Sequence, residues 1–79
     1  MVKTVYEYIQ FDLVVQDDKK KTQTYAVRNI KSQFILGWVK WYGPWRQYCF
    51  FTDGNTIFSE GCLKDIELFI KELMDERKK

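Results

Sequence analysis

Residues 34–52 read FILGWVKWYGPWRQYCFFT, and this stretch decides the fold. Phe34 to Tyr42 is apolar on both of its alternating sides. Phe34, Leu36, Trp38, Lys40 and Tyr42 fall on one, and Ile35, Gly37, Val39 and Trp41 on the other. Such a run of aromatic and β-branched residues reads as a strand. Gly43-Pro44 ends it, because Gly tolerates unusual dihedrals and Pro fixes φ and removes a donor. Trp45 to Thr52 returns as a second strand, and Asp53-Gly54-Asn55 is a strong turn signal. Two strands joined by so short a break pair antiparallel.

Working outward, Thr4 to Gln16 alternates. Val5, Ile9, Phe11, Leu13 and Val15 fall on one side, and Thr4, Tyr6, Tyr8, Gln10, Asp12 and Gln16 on the other. This period of two predicts a strand with one buried face. Asp17-Asp18-Lys19-Lys20-Lys21 makes a polar turn, Thr22 to Ile30 a strand carrying Tyr25, Ala26 and Val27, and Lys31-Ser32-Gln33 a further turn. Thr56-Ile57-Phe58 has the composition of a short extra strand. The period then changes. Cys62, Leu63, Ile66, Phe69, Ile70, Leu73 and Met74 recur at spacings of three and four, the apolar stripe of an amphipathic helix. Ser59 is placed to cap it, and Asp65, Glu67, Lys64, Lys71 and Glu72 take its wet face. The expected architecture is α+β: a four-stranded antiparallel meander followed by one C-terminal helix packed on one face, as a single domain over 1–79. The fold prediction docks Ile66, Phe69, Ile70 and Leu73 on Ile9, Phe11 and Leu13.

Composition bounds the chemistry. The chain has 79 residues, two cysteines and no histidine. A domain this size buries only about 60% of its unfolded surface. Cys49 and Cys62 alone do not complete a tetrahedral zinc site, so they read as reduced thiols and neither metal nor cofactor is expected. Without histidine, a phosphate-binding glycine loop or a cluster of metal ligands, catalysis is not expected either. Net charge is +2, from 13 basic and 11 acidic residues. Lys19-Lys20-Lys21 and Arg77-Lys78-Lys79 read as a solvated loop and tail. The N-terminus lacks the pattern of a secretory leader, and no run approaches the roughly 20 apolar residues of a membrane span, so a soluble, cytoplasmic protein is expected.

The functional argument comes from surplus. One helix covers one face of a sheet, yet the third strand is apolar on both. The aromatic-rich stretch therefore supplies the candidate ligand-binding residues Trp38, Lys40, Trp41, Tyr42, Trp45, Arg46 and Tyr48. Exposed aromatic surface of this kind marks an interaction site. Three occupants compete: a second copy stacked sheet to sheet, a partner protein, and a flat π-ligand such as a nucleobase. Base–aromatic stacking is worth about 1–3 kcal/mol per base, and Arg46, Lys40 and Arg28 could hold phosphates beside it.

The run Leu36-Gly37-x-Val39-Lys40-Trp41-Tyr42-Gly43-Pro44-Trp45-Arg46-Gln47-Tyr48-Cys49-Phe50-Phe51, followed by Thr56-Ile57-Phe58 and Cys62-Leu63-x-Asp65-Ile66, resembles a group of short phage and bacterial proteins of unassigned function. The likeness spans residues 25–75 and implies a phage or mobile-element origin. Members of that group often carry proline where this chain has Thr52, so a different exit turn from the fourth strand is expected here. At the level of fold alone, the strand order is similar to the single-strand DNA-binding transcriptional coactivators and to half of a Whirly domain, which act as assemblies and grip single strands on their sheets. The expected function is accordingly a non-enzymatic, homo-oligomeric phage protein that binds a nucleotide-type ligand or single-stranded nucleic acid. The alternative is a counter-defence protein that blocks a host protein or sequesters a signalling nucleotide.

Overall fold

The computed structural model of the chain describes residues 2–14 and 22–77. Val15, Gln16, the Asp17–Lys21 turn, Lys78 and Lys79 lie outside the described residues. Strands β1 (Ile9–Leu13), β2 (Tyr25–Asn29), β3 (Ile35–Tyr42) and β4 (Gln47–Thr52) form one antiparallel sheet in the order β1-β2-β3-β4, and helix α1 (Glu60–Arg77) follows. The expected meander and C-terminal helix are what the chain forms.

The core lies between α1 and one face of the sheet. Ile9 and Phe11 of β1, Tyr25 and Val27 of β2, Leu36 and Val39 of β3, and Tyr48 of β4 meet Cys62, Ile66, Phe69 and Leu73 of α1. Phe69, with no exposed surface, stacks on Phe11 at 3.9 Å between ring centroids and 8° between planes, and takes the edge of Tyr25 at 4.9 Å. Each such residue contributes roughly 1.5–3 kcal/mol by leaving water.

Local chemistry sets the boundaries of α1. Ser59 caps it: its Oγ accepts the Cys62 N–H at 3.2 Å, one of the donors a helix start leaves without an internal partner. Arg77 stands in the last turn, where the dipole favours a cation. Two positions depart from the expected stripe. Leu63 is exposed, and Asp65, expected on the wet face, is 6% exposed because its carboxylate accepts the Tyr8 N–H at 2.8 Å.

That bond accompanies the main departure in the sheet. The expected long first strand breaks at Glu7-Tyr8 and doubles back. Tyr6 N–H donates to the Ile9 carbonyl at 2.9 Å, Phe11 N–H to the Thr4 carbonyl at 2.8 Å, and Val5 bridges Gln10. The segment before the turn thus lies along the outer edge of β1. Val5 leaves the buried face and becomes exposed, whereas Tyr6 reaches inward and meets Phe11 edge-on at 5.5 Å. Leu13, expected in the core, is 55% exposed.

A register shift between Val27 and Arg28 leaves Leu36 as an extra residue in β3. The resulting bulge lets Leu36 join Val39 in the core although three positions separate them. Next to it, Gly37 has φ +154°, and a Cβ there would stand 2.2 Å from the Phe51 carbonyl oxygen, so only glycine fits. Gly43–Trp45 is a single 3-10 turn, which moves the start of β4 from Trp45 to Gln47. Thr56-Ile57-Phe58 is not a strand. Thr56 N–H turns back to the Gly54 carbonyl at 2.8 Å, Ile57 is 92% exposed, and Phe58 packs edge-on against Phe50 at 5.3 Å. This link carries the chain from β4 to the start of α1, where Gly61 lies against the Tyr8 ring beside β1.

Candidate functional site

Antiparallel partners share a face of a sheet, so the register sorts the aromatic residues. Tyr25, Val39 and Phe50 form one row, with Trp41 and Tyr48 beside it, and all of these pack into or against the helix-side core. The other face carries Asp12, Ala26, Trp38 and Phe51 in one row, Gln10 and Arg28 in the next, then Lys40 with Cys49 and Tyr42 with Gln47. No helix or loop among the described residues packs across this second face.

Sequence reasoning proposed seven ligand-binding residues, and the sheet divides them. Trp38, Lys40 and Tyr42 stand on the open face, spaced by two along β3, about 7 Å from one to the next. Trp45 follows in the 3-10 turn, 66% exposed, with its ring edge-on to Tyr42 at 5.1 Å. Arg46 closes that turn in the left-handed region, φ 52°, and its side chain is exposed at the head of β4. Trp41 and Tyr48 go to the helix side. Tyr48 is 5% exposed and takes Trp41 edge-on at 5.5 Å, while the Arg77 guanidinium covers the Trp41 ring at 4.1 Å. These two aromatics close the end of the core near the C-terminus of α1.

The open face also holds a residue that motif reading passed over. Phe51 stands opposite Trp38, meets Tyr42 at 5.9 Å, and lies beneath Lys40, whose Nζ is 4.5 Å from its ring centroid. Alternation from Gln47 was the available signal, since positions 47, 49 and 51 must share a side. Trp38, Tyr42, Trp45 and Phe51 thus make an aromatic surface with an ammonium set into it.

Charge distribution gives this face its sign. Asp12 is the carboxylate within its described strands, and Arg28 pairs with it at 2.9 Å, while Gln10 donates to it at 2.8 Å. Lys40 faces no carboxylate among the described ion pairs. The acids gather elsewhere: α1 holds Glu60, Asp65, Glu67, Glu72, Asp75 and Glu76 against Lys64, Lys71 and Arg77. On that side a shallow cavity of about 280 Å³ is lined by Lys3, Tyr6, Leu68, Lys71, Glu72 and Asp75. Tyr6 donates its hydroxyl to Glu72 there at 2.8 Å, and burial, followed by that bond, raises the pKa of the phenol well above the usual tyrosine range. Cys49 on the open face and Cys62 in the core are both free thiols, with the sheet between them. No group of three or more metal-ligating side chains occurs among the described residues, and no described helix is long and apolar enough to cross a membrane.

No family model matches the chain, and no solved structure does. A curated protein of Acholeplasma phage L2, described as an uncharacterized 9.3 kDa protein, is 42% identical over 72 residues, which is 91% of each chain. The aligned region takes in the whole sheet and most of the helix at any placement, since so few residues are left over. With identity at that level along nearly the full length, the protein belongs to the same family as this 9.3 kDa phage protein.

Proposed function

We propose that the open face of the sheet binds single-stranded nucleic acid, as a non-enzymatic platform on which bases stack and phosphates meet basic side chains. The observation that carries this reading is the placement of Trp38, Tyr42, Trp45 and Phe51 with Lys40 on the one sheet face that α1 leaves open. Each base stacked on an aromatic ring is worth about 1–3 kcal/mol, whatever its identity. Lys40 stands within the aromatic surface and Arg46 at its border, positions suited to a backbone passing over the rings. The carboxylates of α1 lie on the other side of the sheet, and Arg28 balances the charge of Asp12 within the described strands of the face.

An open platform favours an extended strand over a lone nucleotide, which gains most from an enclosing pocket. The cavity on the helix side is lined by none of these aromatics and carries two carboxylates, a poor setting for phosphate. Membership in a phage protein family fits a role on the single-stranded intermediates of a replicating genome. It equally fits counter-defence, and Trp45, projecting at the corner of the sheet, is the kind of aromatic anchor on which a host protein would be held.

The deciding experiment is titration with a fluorescein-labelled oligothymidylate across a salt series. Binding that weakens as salt rises is expected, with a log–log slope that falls by about 0.7 when Lys40→Ala removes one phosphate contact. Trp38→Ala should weaken binding at every salt concentration without changing that slope. No binding at low salt, or binding unchanged in both variants, removes the nucleic-acid reading and leaves a protein partner as the occupant of this face.

A further inference from the structure

The two edges of the sheet are treated differently. The outer edge of β1 is occupied by the chain itself, through the Thr4, Tyr6, Ile9 and Phe11 backbone bonds. Among the described residues no backbone covers the outer edge of β4, where Met74 alone meets it, at Tyr48. Its sequence, Gln47-Tyr48-Cys49-Phe50-Phe51-Thr52, has no charge, no proline and no bulge in its pairing with β3. Proteins usually guard an exposed edge with one of those devices, because bare backbone groups recruit another strand.

The phase of the edge is fixed by two bonds. Asp53 N–H donates inward to the Leu36 carbonyl at 3.0 Å, and Tyr48 N–H turns outward to Met74 Sδ at 3.5 Å. Even-numbered residues of β4 therefore direct their backbone groups away from β3. Tyr48 has its donor engaged by Met74, which leaves the N–H groups of Phe50 and Thr52 and the carbonyls of Tyr48, Phe50 and Thr52 open to an incoming strand. No backbone bond of the described residues reaches any of them from outside the sheet.

We infer that β4 pairs edge to edge with β4 of a second copy, antiparallel and centred on Phe50. This register pairs both open N–H groups, and it pairs the Thr52 carbonyl once the Tyr48 N–H leaves Met74. Phe50 N–H meets the carbonyl of the partner's Phe50 and the reverse, and Thr52 N–H meets the carbonyl of the partner's Tyr48 and the reverse. The Tyr48 N–H passes from Met74 Sδ to the carbonyl of the partner's Thr52, so the thioether swings aside as the strands join. Faces are conserved across the seam, since residues placed opposite one another are both even or both odd. The self-complementary row of donors and acceptors commits the edge to a copy of itself, and the ends carry no like charges against one another, since Arg46 falls opposite the partner's Gly54, beside Asp53. The two open faces then lie on the same side of one continuous sheet, which lengthens the aromatic platform. Sheet-to-sheet stacking of two copies would instead bury it.

The test is the mass of the full chain by light scattering over a concentration series, with Thr52→Pro and Thr52→Val. Proline at 52 removes an outward N–H only, and Phe51 before it is already extended, so the sheet is kept, as a thermal melt will check. The wild type and Thr52→Val should scatter as two chains and Thr52→Pro as one. Amide exchange of Phe50 should be slow in the wild type and fast in Thr52→Pro. Wild type at the mass of one chain throughout overturns the inference. So does Thr52→Pro remaining at two chains with a normal melt, which would place association on another surface. Trp38→Ala, which tests nucleic-acid binding, should leave the mass unchanged, so the two readings fail separately.

Discussion

The carboxylate of Asp65, buried in the first third of α1, accepts the backbone N–H of Tyr8 at 2.8 Å across 57 positions of sequence. It ties the turn before β1 to the helix and gives a donor in the middle of a fold-back its partner. A hydrogen bond to a charged group contributes about 1.5–3 kcal/mol, and truncation leaves the N–H without an acceptor. Asp65→Ala should lower the unfolding free energy by about that amount in urea titrations. Asp75→Ala, at an exposed helix position, should stay within about 0.5 kcal/mol of the wild type.

Phe69 is the centre of the core, stacked on Phe11 and touched edge-on by Tyr6 and Tyr25. Removing a buried phenyl ring costs about 3–5 kcal/mol, a large share of what a small domain possesses. Phe69→Ala should therefore shift the melting curve strongly or abolish the folded state, as circular dichroism will read. Leu68→Ala, one position along and half exposed, should leave the midpoint nearly unmoved.

Patterning made these core contacts legible. Tyr25 and Val27 alternate in β2, and Cys62, Ile66, Phe69 and Leu73 follow the helical period, so the face joining helix to sheet could be read directly. The fold-back at Glu7-Tyr8 could not. No glycine or proline marks it, and the group that anchors it lies in the last element of the chain. The candidate site was half legible for a related reason. β3 is apolar on both sides, so local sequence does not say which side the helix covers, and the bulge at Leu36 shifts the phase besides. Alternation set Trp38 and Trp41 on opposite sides of β3, and the packing of α1 over Tyr48 decides that Trp41 is the one on the covered side.

Gly37 tests the bulge. Its φ of +154° and the Phe51 carbonyl 2.2 Å from where a Cβ would sit mean that alanine must push β3 away from β4. Backbone in a glycine-only region costs about 1–3 kcal/mol for another residue, before any loss of pairing. Gly37→Ala should destabilise by at least that amount in urea. Gly43→Ala, with nothing within 4 Å of the added carbon, should change stability little.

Tyr6 gives the protein a pH dependence at the alkaline end. Burial, then the bond to Glu72, raises the phenol's folded pKa above its unfolded value of about 10. A raised pKa means that the neutral form stabilises the fold. That contribution is complete below about pH 10 and is lost as the pH rises toward the folded value. Stability measured in urea should therefore be level from neutral pH to about 9 and decline above 10, as far as this group is concerned. Tyr6→Phe should cost about 1 kcal/mol at neutral pH and decline less steeply. Part of the decline should persist, because Tyr8, beside the negative Glu7, and Tyr25, through burial, shift in the same direction.

Tryptophan fluorescence can read the two faces of the sheet separately. Trp38 lies on the open face and Trp45 projects from its corner, whereas Trp41 is enclosed between Tyr48 and the Arg77 guanidinium on the helix side. Two variants that each keep one tryptophan, the others replaced by phenylalanine, isolate these environments. A base stacking on the open face should quench the Trp38-only protein on addition of oligothymidylate and leave the Trp41-only protein unchanged. Arg77→Ala should do the reverse, altering Trp41 emission in the absence of any oligonucleotide by removing the cation above its ring. If the oligonucleotide instead quenches Trp41 and spares Trp38, strands bind at the C-terminal end of the helix, and the aromatic face of the sheet must be assigned another partner.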